Sequence, residues 1–179
     1  MEVQSTLTST QIGLLAENLV INTLLIESHG RFAPFRPVAD DCGIDVLVYD
    51  KVSGRAIPLQ LKGRTKTLKK AGHEERGDTV HFEVRKVALR EKRHTQLLAV
   101  LLNEEMTRIE TAWLIPLADF ELLGTPKPEK IVIRPSRSPM TQDRFSQYRL
   151  SKQSSVDRLV DELGAVDGHT ESYAGLADS

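Results

Sequence analysis

Two short runs of alternating residues, Gly43 to Tyr49 and Ala56 to Lys62, flank the group Asp50, Lys51, Val52, Ser53, Gly54 and Arg55, which has turn chemistry. Such a pattern predicts two strands joined as a hairpin. With the turn centred between Val52 and Ser53, Asp45 falls directly opposite Gln60. Side chains alternate along a strand, so Ile44, Val46 and Val48 share one face with Ile57, Leu59 and Leu61, while Asp45, Gln60 and Lys62 share the other. A slip of one residue would exchange the two faces, which is why this register constrains the chain more than any other feature. Pro58 cannot donate to a ladder and predicts an edge position or a bulge at that point.

The elements around the hairpin follow from periodicity. Residues 11–28 read as a helix with Ser9 and Thr10 as caps and Gly30 beyond its end; Ile12, Leu15, Leu19 and Ile26 recur at helical spacing. Leu14, Val20, Ile21, Leu24 and Leu25 widen that stripe and predict a largely buried helix. Phe32 to Val38, interrupted by two prolines, reads as a short or edge strand. Residues 63–78 read as a mobile basic loop, Val80 to Val84 as a strand, Arg85 to His94 as a short basic helix, and Gln96 to Leu102 and Ile109 to Ile115 as strands. In the last of these, Ile109, Thr111, Trp113 and Ile115 share a face assigned to the core. A short helix from Pro116 to Leu123, a strand at Ile131 to Ile133 and a terminal helix from Ser155 to Leu163 complete the pattern. The predicted organisation is one domain over 1–163, with its core at about 10–123 and an extension at 124–163, and a flexible tail over 164–179.

Composition bounds the function classes. A single cysteine, Cys42, excludes an internal disulfide framework and fits a reducing compartment. No stretch reads as a signal peptide or as a span of about twenty apolar residues, so a cytoplasmic protein without a membrane is expected. The formal net charge is -1, but residues 1–50 carry seven acids and two bases whereas residues 51–95 carry thirteen bases and five acids. Positive charge thus follows the hairpin, as a polyanionic partner or a solvated basic face would require. No Walker-type or dinucleotide-binding glycine pattern occurs, and the five histidines show no metal-ligand spacing.

Aspartate is disfavoured within a strand, so Asp45 between Ile44 and Val46 needs a reason. A carboxylate, an amide oxygen and an ammonium converging on one face suit a hard divalent ion beside a phosphate. The simpler account, an Asp45–Lys62 ion pair across strands, leaves Gln60 unexplained. Glu17 lies among Leu14, Val20, Ile21 and Leu24 on the helix and requires a cation, a donor or a metal; a salt bridge to the core satisfies the same need. Arg64, Lys66, Lys69 and Lys70 follow the strand with no intervening acid, where a DNA or RNA backbone would leave the site, and Arg85, Lys86, Arg90, Lys92 and Arg93 extend the charge.

The order of a helix carrying Gly13-Leu-Leu-Ala-Glu17, then Asp41-Cys-Gly-Ile-Asp45, then Leu59-Gln-Leu-Lys62-Gly63 resembles the PD-(D/E)XK nuclease superfamily, and within it the Mrr-like and archaeal Holliday-junction-resolvase-like branches. The resemblance covers residues 10–64, with an agreeing element pattern to about residue 116. It implies an α/β restriction-endonuclease-like core, a mixed central sheet flanked by helices in the order α-β-β-β-(loop)-β-α-β-β. It further implies a Mg2+- or Mn2+-dependent endonuclease acting on DNA through an activated water. Asp45 is then the central metal-binding aspartate, Lys62 the catalytic lysine, Glu17 an accessory acid, and the Leu61 carbonyl a further metal ligand. Gln60 departs from the second acid of many members and throws more of the ion's charge onto Glu17. A non-catalytic nucleic-acid-binding or protein-interaction module that keeps the fold is the competing expectation, and either reading admits a homodimer.

Overall fold

The computed structural model describes residues 7–38, 43–68, 77–89, 95–150 and 157–159. The predicted hairpin forms in the predicted register. β2 (Val46–Asp50) pairs antiparallel with β3 (Arg55–Arg64), Val46 opposite Leu59 and Asp50 opposite Arg55; the paired register ends at Val46, and the Asp45 amide, just before the strand, also donates to Leu59 O. Asp50, Ser53 and Gly54 close the turn. Gly54 takes a positive φ of 73° and donates its N–H to Asp50 O, a conformation that glycine adopts without a Cβ penalty.

β1 (Phe32–Phe35) pairs with β2 and is the sheet edge that its prolines predict. On the other flank, β3 pairs in parallel with β5 (Gln96–Leu102), a strand buried at every position, as expected of one covered on both faces. β6 (Ile109–Pro116) and β9 (Arg149–Leu150) complete a six-stranded mixed sheet in the order β1-β2-β3-β5-β6-β9. Pro58 therefore lies in an interior strand, neither at an edge nor at a bulge. Leu59 O accepts from Asp45 N, which turns residue 59 towards β2 and Pro58 the other way, onto the flank where pairing with β5 begins only at Leu59.

α1 (Ser9–Glu27), capped by Thr8 with a reciprocal bond to Gln11, crosses one face of this sheet. Its buried stripe is Ala16, Val20 and Leu24, packed on Val46, Val48, Ile57, Leu59 and Leu61. The helix is not largely buried: Leu14 is 50% exposed and Ile26 73%, because nothing described covers its outer side. By length and mean hydropathy of 1.2 this helix could also cross a membrane, contrary to the reading from sequence, but its small-residue face is the one seated on the sheet.

The opposite face of the sheet is a second core. A three-stranded sheet in the order β4-β8-β7, from β4 (Phe82–Arg85), β7 (Thr125–Pro126) and β8 (Lys130–Ile133), packs there with α2 (Leu117–Leu123). Phe82 and Trp113 meet edge-on at 5.8 Å among Val84, Leu97, Ile115 and Phe120. A register shift opposite Leu101 and Leu102 inserts Glu110 into β6, which sends Ile109 to the α1 side instead of the Trp113 side. The short basic helix is reduced among the described residues to a 3-10 turn at Lys86–Leu89; positions 90–94 lie outside them.

Candidate active site

β2 ends at Val46, and the chain before it takes the amide of β3 by another route. Leu61 N donates to Asp45 Oδ2 at 2.6 Å, a carboxylate in place of the backbone carbonyl that a longer β2 would offer. Asp45 is thus not in mid-strand, as the sequence suggested, but caps the open end of the ladder. In an extended strand the N–H and C=O of one residue point to the same side, so the Leu61 carbonyl also faces this flank.

Gln60 stands on the next rung, on the margin of the second core beside Leu97, and is only 5% exposed. Its Oε1 is buried with no hydrogen-bond partner among the described residues. An acceptor in that state costs about 1–3 kcal/mol unless something satisfies it. Trp113 Nε1 is orphaned too, but it is a donor and offers nothing to a cation. Gly43, at φ 68°, and Ala88 of the 3-10 turn wall in the Gln60 amide: a Cβ on Gly43 would stand 3.4 Å from Gln60 Nε2 and 3.2 Å from the Ala88 methyl. Sequence gave no sign of Ala88, whose approach depends on the whole crossover from β3.

Lys62 shares this face, half-buried, and among the described residues forms no ion pair, so the simple Asp45–Lys62 bridge is not what holds the two strands' polar groups together. Glu17 is placed at the same end of the sheet from the opposite side. Its neighbour Ala16 lies against Gly63, where a Cβ would collide with the Ala16 methyl, so Gly63 serves helix packing and not an approach to phosphate. Glu17 Oε2 is 3.9 Å from Arg36 Nη2, and Arg36 follows β1 level with Val46 by the β1–β2 register. The carboxylate is 30% exposed instead of buried, which lowers the need for a metal at that position and partly fulfils the salt-bridge alternative.

Of the basic residues, Arg64 is engaged in structure: its Nε donates to His81 O and its Nη1 to Gly63 O, both at 3.1 Å. Lys66 is exposed. Lys69 and Lys70 lie outside the described residues, as do Asp40, Asp41 and Cys42. Among the described residues no three His, Cys, Asp or Glu side chains form a metal-binding group. The acceptors near the open end of the β2–β3 ladder are instead a fixed carboxylate, an unsatisfied amide oxygen and a backbone carbonyl, donor types that suit a divalent ion of the Mg2+ or Mn2+ kind.

No protein-family model matches the chain, and no curated protein matches it. Its structure is similar to that of a bacterial homing endonuclease, with a TM-score of 0.60 at 16% sequence identity, covering 91% of this chain and 99% of that chain. At that identity the likeness is one of fold: this mixed α+β arrangement is one that a nuclease uses.

Proposed function

We propose that the chain is a metal-dependent endonuclease that hydrolyses phosphodiester bonds in DNA. The observation that carries this reading is the buried Gln60 oxygen, unsatisfied among the described residues, next in the chain to the Leu61 amide that holds the Asp45 carboxylate, with Lys62 beyond it on the same strand. Asp45, Gln60 Oε1 and the Leu61 carbonyl would hold Mg2+ or Mn2+, with Glu17 as an accessory acid. A divalent ion there supplies polarisation of the phosphoryl oxygen and a more acidic water. The chain's own residues do the rest. The Leu61 amide fixes the Asp45 carboxylate through Oδ2. Gly43 and Ala88 close in on the nitrogen side of the Gln60 amide. The Lys62 ammonium, with no carboxylate paired to it among the described residues, orients the attacking water and offsets charge developing on the phosphate.

Wild-type protein with either metal is expected to nick or linearise supercoiled plasmid, and Lys62→Ala to lower the single-turnover rate about 10²–10³-fold with an unchanged melting temperature. Folded wild-type protein that leaves plasmid, branched and single-stranded DNA intact in both metals removes the reading. Gln60→Glu supplies the second negative charge that the site lacks. Calorimetry should show Mn2+ binding tighter by about tenfold in that variant; unaltered or weaker binding would mean that residue 60 is not a ligand.

A further inference from the structure

The three-stranded sheet has an inner face of Phe82, Val84, Ile131 and Ile133; on the outer face Val132 is buried between Glu83 and Thr125, and Arg85 and Arg134 stand exposed towards its ends. Residues 77–89 and 125–137, which build it, carry six Lys or Arg and three Asp or Glu. Those acids are largely spent within the fold. Asp78 lies 3.7 Å from Arg137, and Glu83 accepts twice from Lys130 Nζ at 2.7 Å and once from the His81 ring at 2.8 Å. The Lys130 ammonium beside Glu83 holds its carboxyl at about 2, so that pair cancels over the working range. Arg85, Lys86, Lys127 and Arg134 remain, all exposed and none with a carboxylate partner among the described residues. Sequence separates them by up to half the described core, yet the β4–β8 pairing sets Arg85 opposite Lys130, the Lys86 amide donates to Glu129 O, and Arg134 Nε reaches His81 Nδ1 at 3.4 Å.

β4 runs beside the candidate site from one end to the other. At His81 it receives Arg64, and past Arg85 the turn brings Ala88 to Gln60 and Gly43. From His81 to Arg85 an extended strand covers about 13 Å, the axial rise of about four phosphates on one strand of a duplex. We propose that the outer face and rims of this sheet are a phosphate-contacting surface on which Arg85, Lys86, Lys127 and Arg134 grip the backbone of duplex DNA beside the cleavage position. The proposal rests on the nuclease reading for its choice of polyanion. Contacts of this kind add affinity without reading sequence.

The test is binding of a fluorescein-labelled duplex in EDTA across a salt series, so that no cleavage is needed for a result. Replacing the four residues by glutamate is expected to weaken binding about a hundredfold at low salt and to flatten the log-log salt slope by about three to four. Two unrelated duplex sequences should lose equally, and Lys51→Glu, at the far hairpin turn, should lose nothing. If the fourfold variant does not fold, Arg85→Glu with Lys86→Glu, and Lys127→Glu with Arg134→Glu, should each remove about half the slope. Unchanged binding in folded variants overturns the surface, as does wild-type protein that fails to bind duplex. Cleavage by the wild type with unaltered binding in the variants sinks this surface alone; salt-sensitive binding lost in the variants, in a protein that never cleaves, sinks only the catalytic reading.

Discussion

Asp45→Asn is expected to lower metal-dependent DNA cleavage about a thousandfold, equivalent to about 4 kcal/mol of transition-state stabilisation, while leaving the fold intact. The two roles of this side chain are separable by chemistry. As a structural group it accepts the Leu61 N–H at 2.6 Å, and an asparagine oxygen can accept the same bond. As a ligand it contributes the one formal negative charge that β2 and β3 bring to the Gln60 oxygen, and the amide cannot replace that. Metal binding gives a readout independent of catalysis. A protein that binds the ion only when folded gains about 2.7 kcal/mol at a hundred times Kd, so Mn2+ should raise the melting temperature of the wild type and not of Asp45→Asn. Asp45→Ala should differ, because it also orphans the Leu61 amide and loses about 1–3 kcal/mol without metal. Wild-type cleavage rates in Asp45→Asn, or an undiminished Mn2+ shift, would show that the carboxylate serves the strand end alone.

The hairpin could be read before folding because two local signals agree on it: Asp50, Ser53 and Gly54 want a turn, and the alternation on either side gives the same register. Continuous apolarity likewise marked β5 as a strand. Long-range choices left no such trace. The face opposite the α1 side is a second core and not an open chemical surface, because β4 and β8, far apart in the chain, pair over it. That is why Gln60, on the face that alternation reserves for polar groups, is buried. α1 is apolar on most sides, so periodicity could not choose its buried stripe. Ala16 wins because Gly63 lets the helix axis come close there, a match between residues on separate elements. The partner of Glu17 was likewise hidden, since Arg36 meets it only through the register of β1 on β2.

The same turn that makes the register readable also makes it fragile, and Asp50→Ala should show how much. Asp50 is fully buried and receives Arg31 Nε and Nη2 at 2.7 Å each, Val52 N at 3.0 Å and Ser53 Oγ at 2.8 Å. Removing the carboxylate strips the guanidinium of its counter-charge and the turn of its acceptors. Breaking a buried pair costs about 3–5 kcal/mol. With the Arg31 side chain 32% exposed, the low end is expected, a loss of about 3 kcal/mol and a fall in melting temperature of about 6–12 °C. The Arg31 hydrogen bonds hold the Asp50 carboxyl well below the ordinary carboxylate value of 3.8. A depressed folded value makes this contribution complete above the ordinary one and lost as pH falls from there towards the folded value. The stability gap between wild type and Asp50→Ala, measured by urea unfolding, should therefore be full near neutrality and narrower at about pH 3. A gap of the same size at both would mean that the ion pair contributes nothing and that packing alone holds the turn. Because the Asp50–Arg55 rung sets every rung up to Val46 and Leu59, next to Asp45 and Gln60, the variant should also lose Mn2+ binding in proportion to its unfolded fraction, coupling the chemistry at one end of the hairpin to the salt bridge at the other.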